Sequence, residues 1–320
     1  MVFETWALVS GVRATQAGSE VFRPDGADPG DWSRLVRAGP PPKILGASLS
    51  APTEDPTTEI RMNQAAYEFV RARSLYNLDG VRAAFAEGVA HNGISPLDFP
   101  AGAQEVKARW QDLGPAPPAS KLARYHWRRI GGHYWVLTGF HIATKDLPNW
   151  FWADFEHVDS PSQPTEPFVD STTRTDHGSS APAKGRMEGE RRELIGTKWA
   201  FYRLRGTQTG FTDARGNPTH MASTLIEAGF EHTSCMSCHA RATVRFAGLR
   251  LTHLSTEPAN FDVDGRPPHI PDTANTDLGP PRPSLFAARP PYVQTDFVWS
   301  IALRAKPRPA AATSPARPRS

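Results

Sequence analysis

The pattern of apolar and polar residues changes near residue 100 from a helical period to a strand period. Before that point, apolar residues at helical spacing predict one helix over about 55–70, begun by Asp55 and Pro56, and a second over about 79–87. The second helix is predicted to stop at Gly88. Beyond residue 100, alternating residues predict half-buried strands. These strands are expected at about 105–110, 124–128, 134–143, 150–158, 199–206 and 297–303, with a hairpin turn at Gly131-Gly132.

This order of elements predicts an α+β fold, in which an antiparallel β-sheet core is joined by a few short helices and long Pro-rich loops. The 31 prolines in 320 residues favour extended and irregular segments. We expect a loop-rich segment over 1–50, one domain with a sheet core over 51–305 and a disordered Pro/Ala/Arg-rich tail over 306–320.

Charge and hydropathy exclude some classes of partner. The net charge of +3 leaves no strongly basic surface for nucleic acid, and no apolar run reaches the length of a membrane span. The first residues also lack the basic and apolar regions of a secretory leader. Because the chemistry described next requires export, we expect the true start to lie upstream of Met1.

The only two cysteines of the chain lie together in Cys235-Met236-Ser237-Cys238-His239. This is the CxxCH arrangement of a covalently attached c-type haem. Two thiols on one short turn match the two vinyl groups of haem, and His239 follows at once as the proximal iron ligand. We expect a short helix to carry the motif, capped by Ser234 or Thr233.

Two other readings of the motif stay open. A dithiol redox pair would also use a CxxC, but it leaves His239 without a role. A structural zinc module would take His232, Cys235, Cys238 and His239 as ligands. Zinc sites usually draw their second pair of ligands from a distant segment, however, and adjacent ligands fit one tetrahedron poorly.

Arginine side chains follow the motif closely. Arg241 and Arg245 are candidates to pair with the haem propionates, because a guanidinium binds a carboxylate with two hydrogen bonds. They could equally form a solvated basic face.

The sixth iron ligand is less defined, because no methionine follows Met236. His157 shares the apolar face of its predicted strand with Phe155, and His141 shares a face with Trp135 and Leu137. Both are candidate distal iron ligands, although a histidine on an apolar face can also be a hydrogen-bonded core residue.

Longer segments resemble a family of exported, uncharacterised bacterial cytochrome c proteins with one CxxCH in the C-terminal third. The resemblance covers most of 55–305. It rests on Gly139–Ile142, Leu147–Val158, Tyr202–Thr209, Ile226–Phe230, the CxxCH motif with Ala240–Ala242, and Asp296–Ser300. It implies one covalent haem c and a periplasmic or secreted location, and it implies no defined substrate.

These observations lead to ranked expectations about function. The first is electron transfer through one haem, with an unidentified redox partner protein. The alternative is a haem-dependent oxidoreductase, peroxidase-like, with an open or labile sixth site. The second alternative is the structural zinc module.

Overall fold

A computed structural model describes most of the regular core of the chain. The described residues are 6–11, 21–23, 25–35, 57–91, 95–159, 194–211, 219, 221, 223, 225–226, 234–247, 250–252 and 291–308. Residues 160–193, 253–290 and 309–320 lie outside them. These residues include most of the predicted Pro-rich loops and most of the predicted tail.

An antiparallel seven-stranded sheet forms the centre of the fold. Its strands are β1 (Ala7–Gly11), β2 (Thr58–Met62), β3 (Gln104–Asp112), β4 (Trp127–Ile130), β5 (His133–Thr144), β6 (Phe151–His157) and β7 (Tyr202–Gln208). They pair in the order β1-β2-β3-β5-β6-β7, with β4 paired to β5 through the predicted hairpin turn. The prediction of an antiparallel sheet with short helices is confirmed.

Short helices and a second, small sheet complete the described fold. The helices are α1 (Trp32–Leu35), α2 (Gln64–Ala72), α3 (Leu78–Ala90), α4 (Ala119–Arg124), α5 (Cys235–His239) and α6 (Trp299–Arg304), with one 3-10 turn at Lys198–Phe201. The small sheet joins β8 (Thr243–Ala247), β9 (Arg250–Thr252) and β10 (Val293–Gln294) in the order β10-β8-β9. No helix among these residues has the length and apolar character needed to cross a membrane.

The two faces of the main sheet bury different cores. One face, here called the motif face, carries Met62, Ala143 and Trp152 and packs against Cys235 and Met236 of α5. The opposite face buries a smaller cluster. That cluster contains Val106, Ala108, Trp110, Leu137, Phe140 and Tyr202. Successive residues of a strand point to opposite faces, so this division assigns each side chain of β3, β5 and β6 to one core or the other.

Several of the predicted elements have different bounds in the structure. The first predicted helix begins only at Gln64, capped by Asn63, because Thr58–Met62 forms β2 instead. The strand predicted at about 124–128 is displaced to β4, because the chain up to Arg124 belongs to helix α4. Helix α3 runs through Gly88 to Ala90. Gly88 is required inside the helix, because a Cβ there would lie 2.6 Å from Val293. The predicted strand at 199–206 is displaced to β7, which continues through Gly206.

The predicted strand at 297–303 is wrong. Residues Trp299–Arg304 form helix α6, although Trp299, Ile301 and Leu303 alternate with the small residues Ser300 and Ala302. The helix buries Ser300, Ile301 and Ala302, and the Ser300 hydroxyl donates to Glu105 on β3 at 2.7 Å. Packing of the small side chains Ser300 and Ala302 against the sheet therefore overrides a local period of two.

Part of the segment 1–50 belongs to the same core as the rest of the fold. Strand β1 is the edge strand of the main sheet, and Val21 and Phe22 are buried in the core of the motif face. At the other end of the chain, Lys306 forms a bridge with Asn77 at the start of α3. The remainder of the predicted tail lies outside the described residues.

Candidate functional site

Helix α5 carries the CxxCH motif and is fixed to the main sheet by hydrogen bonds. Ser234 is its N-cap: the Ser234 hydroxyl accepts from the backbone N–H of Ser237 at 3.1 Å. The buried amide of Gln208, the last residue of β7, donates to the Ser234 hydroxyl at 2.9 Å and accepts from the N–H of Met236 at 3.0 Å. A short helix over the motif is therefore present, and of the two predicted caps Ser234 is the one observed, whereas Thr233 lies outside the described residues. Gln208 is a residue that the sequence pattern did not single out.

The two thiols lie on one side of this single helical turn, because residues three positions apart are neighbours on a helix surface. Cys235 is buried, and its thiol lies 3.6 Å from the carbonyl of Met221. Cys238 is half-buried, and its carbonyl accepts a hydrogen bond from the Trp299 indole at 3.2 Å. The turn therefore carries both thiols of the CxxCH motif on one helix.

His239 is held in one tautomer by a distant backbone group. Its Nδ1 lies 2.8 Å from the carbonyl oxygen of Phe297. A carbonyl can only accept, so Nδ1 carries the proton and Nε2 is the nitrogen that can bind a metal. The indole of Trp152 packs beside the imidazole, with 4.5 Å between ring centroids. This is the arrangement expected of a proximal iron ligand.

His141 lies on the motif face, two positions along β5 from Ala143, which pairs with Trp152. Its predicted companions do not share that face. Thr138 is an extra residue in β5, because Gly139 pairs with Arg109 and Leu137 with Trp110. This bulge reverses the alternation, so Leu137 joins the core of the opposite face. The prediction that His141 shares a face with Trp135 and Leu137 is therefore wrong.

His157 lies on the opposite face and at the far end of β6 from Trp152. Five residues of strand separate the two Cα atoms by about 16 Å. The His157 ring stacks on Tyr125 with 3.5 Å between centroids. Its Nδ1 accepts from the N–H of Asp159 at 3.1 Å, and its Nε2 lies 3.3 Å from the carbonyl of Arg124. The structure thus places His157 as a hydrogen-bonded core residue and does not bring it beside His239.

The burial of His157 gives the stability of the protein a pH dependence. Burial lowers the pKa of His157 from 6.5 to about 4. Between those values the unfolded chain binds the proton more tightly than the folded one, so acidification favours unfolding. We expect this residue to reduce the free energy of unfolding by up to about 1.4 kcal/mol per pH unit as the pH falls from 6.5 to 4. Urea unfolding across that range measures the slope. An equal slope in His157→Phe would contradict the assignment.

A buried charge cluster lies on the motif face beyond Trp152. The Asp154 carboxylate bonds His141 Nε2 at 3.1 Å and Arg205 at 2.7 Å, and Arg205 also reaches Glu156 at 3.4 Å. Arg203 pairs with the second side of Glu156. Burial acts to raise the pKa of Asp154, but His141 and Arg205 outweigh it and hold that pKa below its usual value. Asp154 is therefore ionised at neutral pH.

Arg241 and Arg245 both lie close to the motif helix. Arg241 is buried and donates back to the carbonyl of Ser237, within the motif itself. Arg245 lies on β8, with its guanidinium 5.2 Å from the centre of the Tyr292 ring. Pairing of either residue with a propionate stays a prediction. The structure adds Arg205, a buried arginine that pairs with Asp154 and that no local motif marked.

The residues that bear on the alternatives are only partly described. His232, the fourth ligand of the zinc reading, lies outside the described residues. Within the described ranges, no three His, Cys, Asp or Glu side chains are grouped so as to hold a metal ion. No protein-family profile, curated protein or solved structure matches the chain.

Proposed function

We propose that the protein is a c-type haem protein that transfers electrons through one covalent haem. Cys235 and Cys238 bind the haem, and His239 is its proximal iron ligand. The observation that carries the proposal is the hydrogen bond from His239 Nδ1 to the carbonyl of Phe297, which places the lone pair on Nε2 of a histidine that shares one helix with both thiols. The resemblance to exported bacterial cytochrome c proteins supports the same assignment.

The described residues around the motif supply the binding and orientation that such a haem needs. A haem c provides one-electron chemistry at its iron when bound. Ser234 and Gln208 hold the thiols on a capped turn, and the Phe297 carbonyl orients His239. Trp152 packs beside the imidazole, with 4.5 Å between ring centroids. A covalent haem c also implies a periplasmic or secreted location and a redox partner protein that remains to be identified.

His141 is the candidate distal ligand that the fold supports. It lies on the motif face with Trp152, whereas His157 lies on the opposite face. The contact between His141 Nε2 and Asp154 orients the ring, and Nδ1 is then the nitrogen that would bind iron.

The same His141–Asp154 pair supports the alternative function. A haem oxidoreductase with an open sixth site needs an acid–base group near the iron, and His141 could serve in that role.

The absorption spectrum of the holoprotein tests the proposed function. The full chain would be expressed with an export leader and the haem-attachment machinery, then measured oxidised and reduced. We expect a sharp α-band in the reduced protein and haem that stays with the polypeptide during acid-acetone extraction. Bound haem with a high-spin spectrum would favour the oxidoreductase. Absence of haem would contradict both functions, and a zinc assay would follow.

His141 and His157 can be compared through one substitution made at both sites. We expect His141→Gln to convert a low-spin spectrum to a high-spin one, because glutamine can still contact Asp154 but is a poor iron ligand. His157→Gln should keep the wild-type spectrum, since its side chain lies on the opposite face. A low-spin spectrum in His141→Gln would show that the sixth ligand is another residue.

A further inference from the structure

The carbonyl that binds His239 belongs to a turn with unusual backbone geometry. Residues 295–298 form a turn closed by a 3.0 Å hydrogen bond from the N–H of Val298 to the carbonyl of Thr295. Its two central residues, Asp296 and Phe297, have φ angles of 49° and 67°. Two positive φ angles in succession are those of a type I′ turn, which strongly prefers Asn-Gly. Asp tolerates this conformation, but Phe rarely adopts it.

A buried ion pair with strand β5 holds this turn in place. Asp296 accepts from Lys145 Nζ at 2.7 Å through Oδ1 and from the N–H of Phe99 at 2.7 Å through Oδ2. Lys145 also donates to the carbonyl of Pro148 at 3.0 Å and reaches Asp98 at 3.0 Å. The side chains of Lys145 and Asp296 are 9% and 7% exposed, whereas that of Asp98 is 86% exposed. The buried contacts thus converge on Asp296, one residue before Phe297.

We propose that Lys145 and Asp296 are positioning residues for His239. By holding the 295–298 turn, they aim the Phe297 carbonyl at His239 Nδ1. The inference rests on the proposed function, because its main consequence is a property of the haem. A carbonyl that accepts from Nδ1 raises the basicity of the imidazole as a ligand. A more basic ligand stabilises Fe(III) relative to Fe(II), so the pair lowers the reduction potential of the iron.

The midpoint potential separates positioning from simple electrostatics. Asp296→Asn removes a negative charge but tolerates the left-handed backbone, and Lys145→Gln removes a positive charge but can still bond the carbonyl of Pro148. If the pair positions His239, both variants should raise the potential. We expect about a tenfold shift in the Fe(III)/Fe(II) equilibrium, which is about 59 mV for one electron. Electrostatics alone would raise the potential in Asp296→Asn and lower it in Lys145→Gln, and that pair of opposite signs would overturn the inference.

A matched control exists on the same lysine. Asp98→Asn removes the exposed carboxylate and should leave the potential nearly unchanged. A shift in Asp98→Asn as large as that in Asp296→Asn would also overturn the inference. Where one of the two test variants fails to fold, the other is compared with this control.

A glycine at 297 needs no support for a positive φ, so in a Phe297→Gly background the effect of Asp296→Asn on the midpoint potential should largely disappear.

A second readout does not depend on haem. Nitrogen-15 NMR of His239 in the haem-free full chain reports its tautomer directly. We expect the Nδ1–H tautomer in the wild type and a mixture of tautomers in Asp296→Asn and Lys145→Gln. An unchanged tautomer in both variants would overturn the positioning role. If the wild type attaches no haem, the proposed function fails, and the NMR result still decides the inference.

Discussion

Replacing both Cys235 and Cys238 with serine is expected to abolish covalent haem attachment completely. Each thioether bond needs a cysteine sulfur, and the chain has no cysteine outside the motif. A serine hydroxyl at 235 can still donate to the carbonyl of Met221, which the Cys235 thiol contacts, and the cap at Ser234 is unaltered. The polypeptide should therefore fold, but it should lack the visible absorption of covalently bound haem. Acid-acetone extraction followed by a haem stain of the denatured protein measures the covalent fraction.

Ser237→Ala is the matched control, because Ser237 lies between the two cysteines on the same turn. It removes the hydroxyl contact with Ser234 but keeps the backbone hydrogen bond that caps the helix. We expect this variant to attach haem at close to the wild-type level. Covalent haem in the double serine variant, or equal loss in Ser237→Ala, would show that the motif does not act as a haem-attachment site.

Removing the charge of Asp154 is expected to cost about 3–5 kcal/mol of the free energy of unfolding, as is typical when one partner of a buried ion pair is lost. Asp154 is 1% exposed and is shared by His141 and Arg205. Asp154→Asn keeps the size of the side chain, so the loss reports the charge rather than a cavity. The substitution leaves Arg205 without its 2.7 Å contact to a charged Asp154, while its 3.4 Å contact with Glu156 is kept. Urea unfolding of variants in the same state of haem loading measures the change.

A surface pair of the same residue types provides the comparison. Asp159 pairs with Arg124 at 2.6 Å, with a third of its side chain exposed. Asp159→Asn should cost only about 0–1 kcal/mol, because exposed ion pairs are screened by solvent. Arg205→Met combined with Asp154→Asn should lose less than the sum of the two single changes, since neither charge is then left unpaired. Equal losses in Asp154→Asn and Asp159→Asn would contradict the assigned role of the cluster.

Features that depend on neighbours in the chain could be predicted from the sequence alone. The CxxCH turn and its Ser234 cap are local, because every group in them lies within five residues. Strands β3, β5 and β6 and the Gly131-Gly132 hairpin followed from alternation and from glycine's tolerance of positive φ. These features led to the fold class and to the expected chemistry.

The remaining features of the candidate site were decided by tertiary contacts. The bulge at Thr138 changed which residues share a face with His141, and alternation cannot reveal an added residue in a strand. His157 matched the pattern of an apolar face, but that face proved to be the one away from the motif. The pairing of strands, which only the folded sheet defines, determined both outcomes.

The groups that set the chemistry of His239 come from distant parts of the chain. Phe297 follows His239 by 58 positions, and Asp296 follows its partner Lys145 by 151. A hydrogen bond between a side chain and a distant carbonyl leaves no periodic signal in a sequence. The sequence by itself determined that a thiol pair and a histidine would share one turn. The tertiary structure decided which nitrogen of that histidine carries the proton, because only folding brings the Phe297 carbonyl to Nδ1.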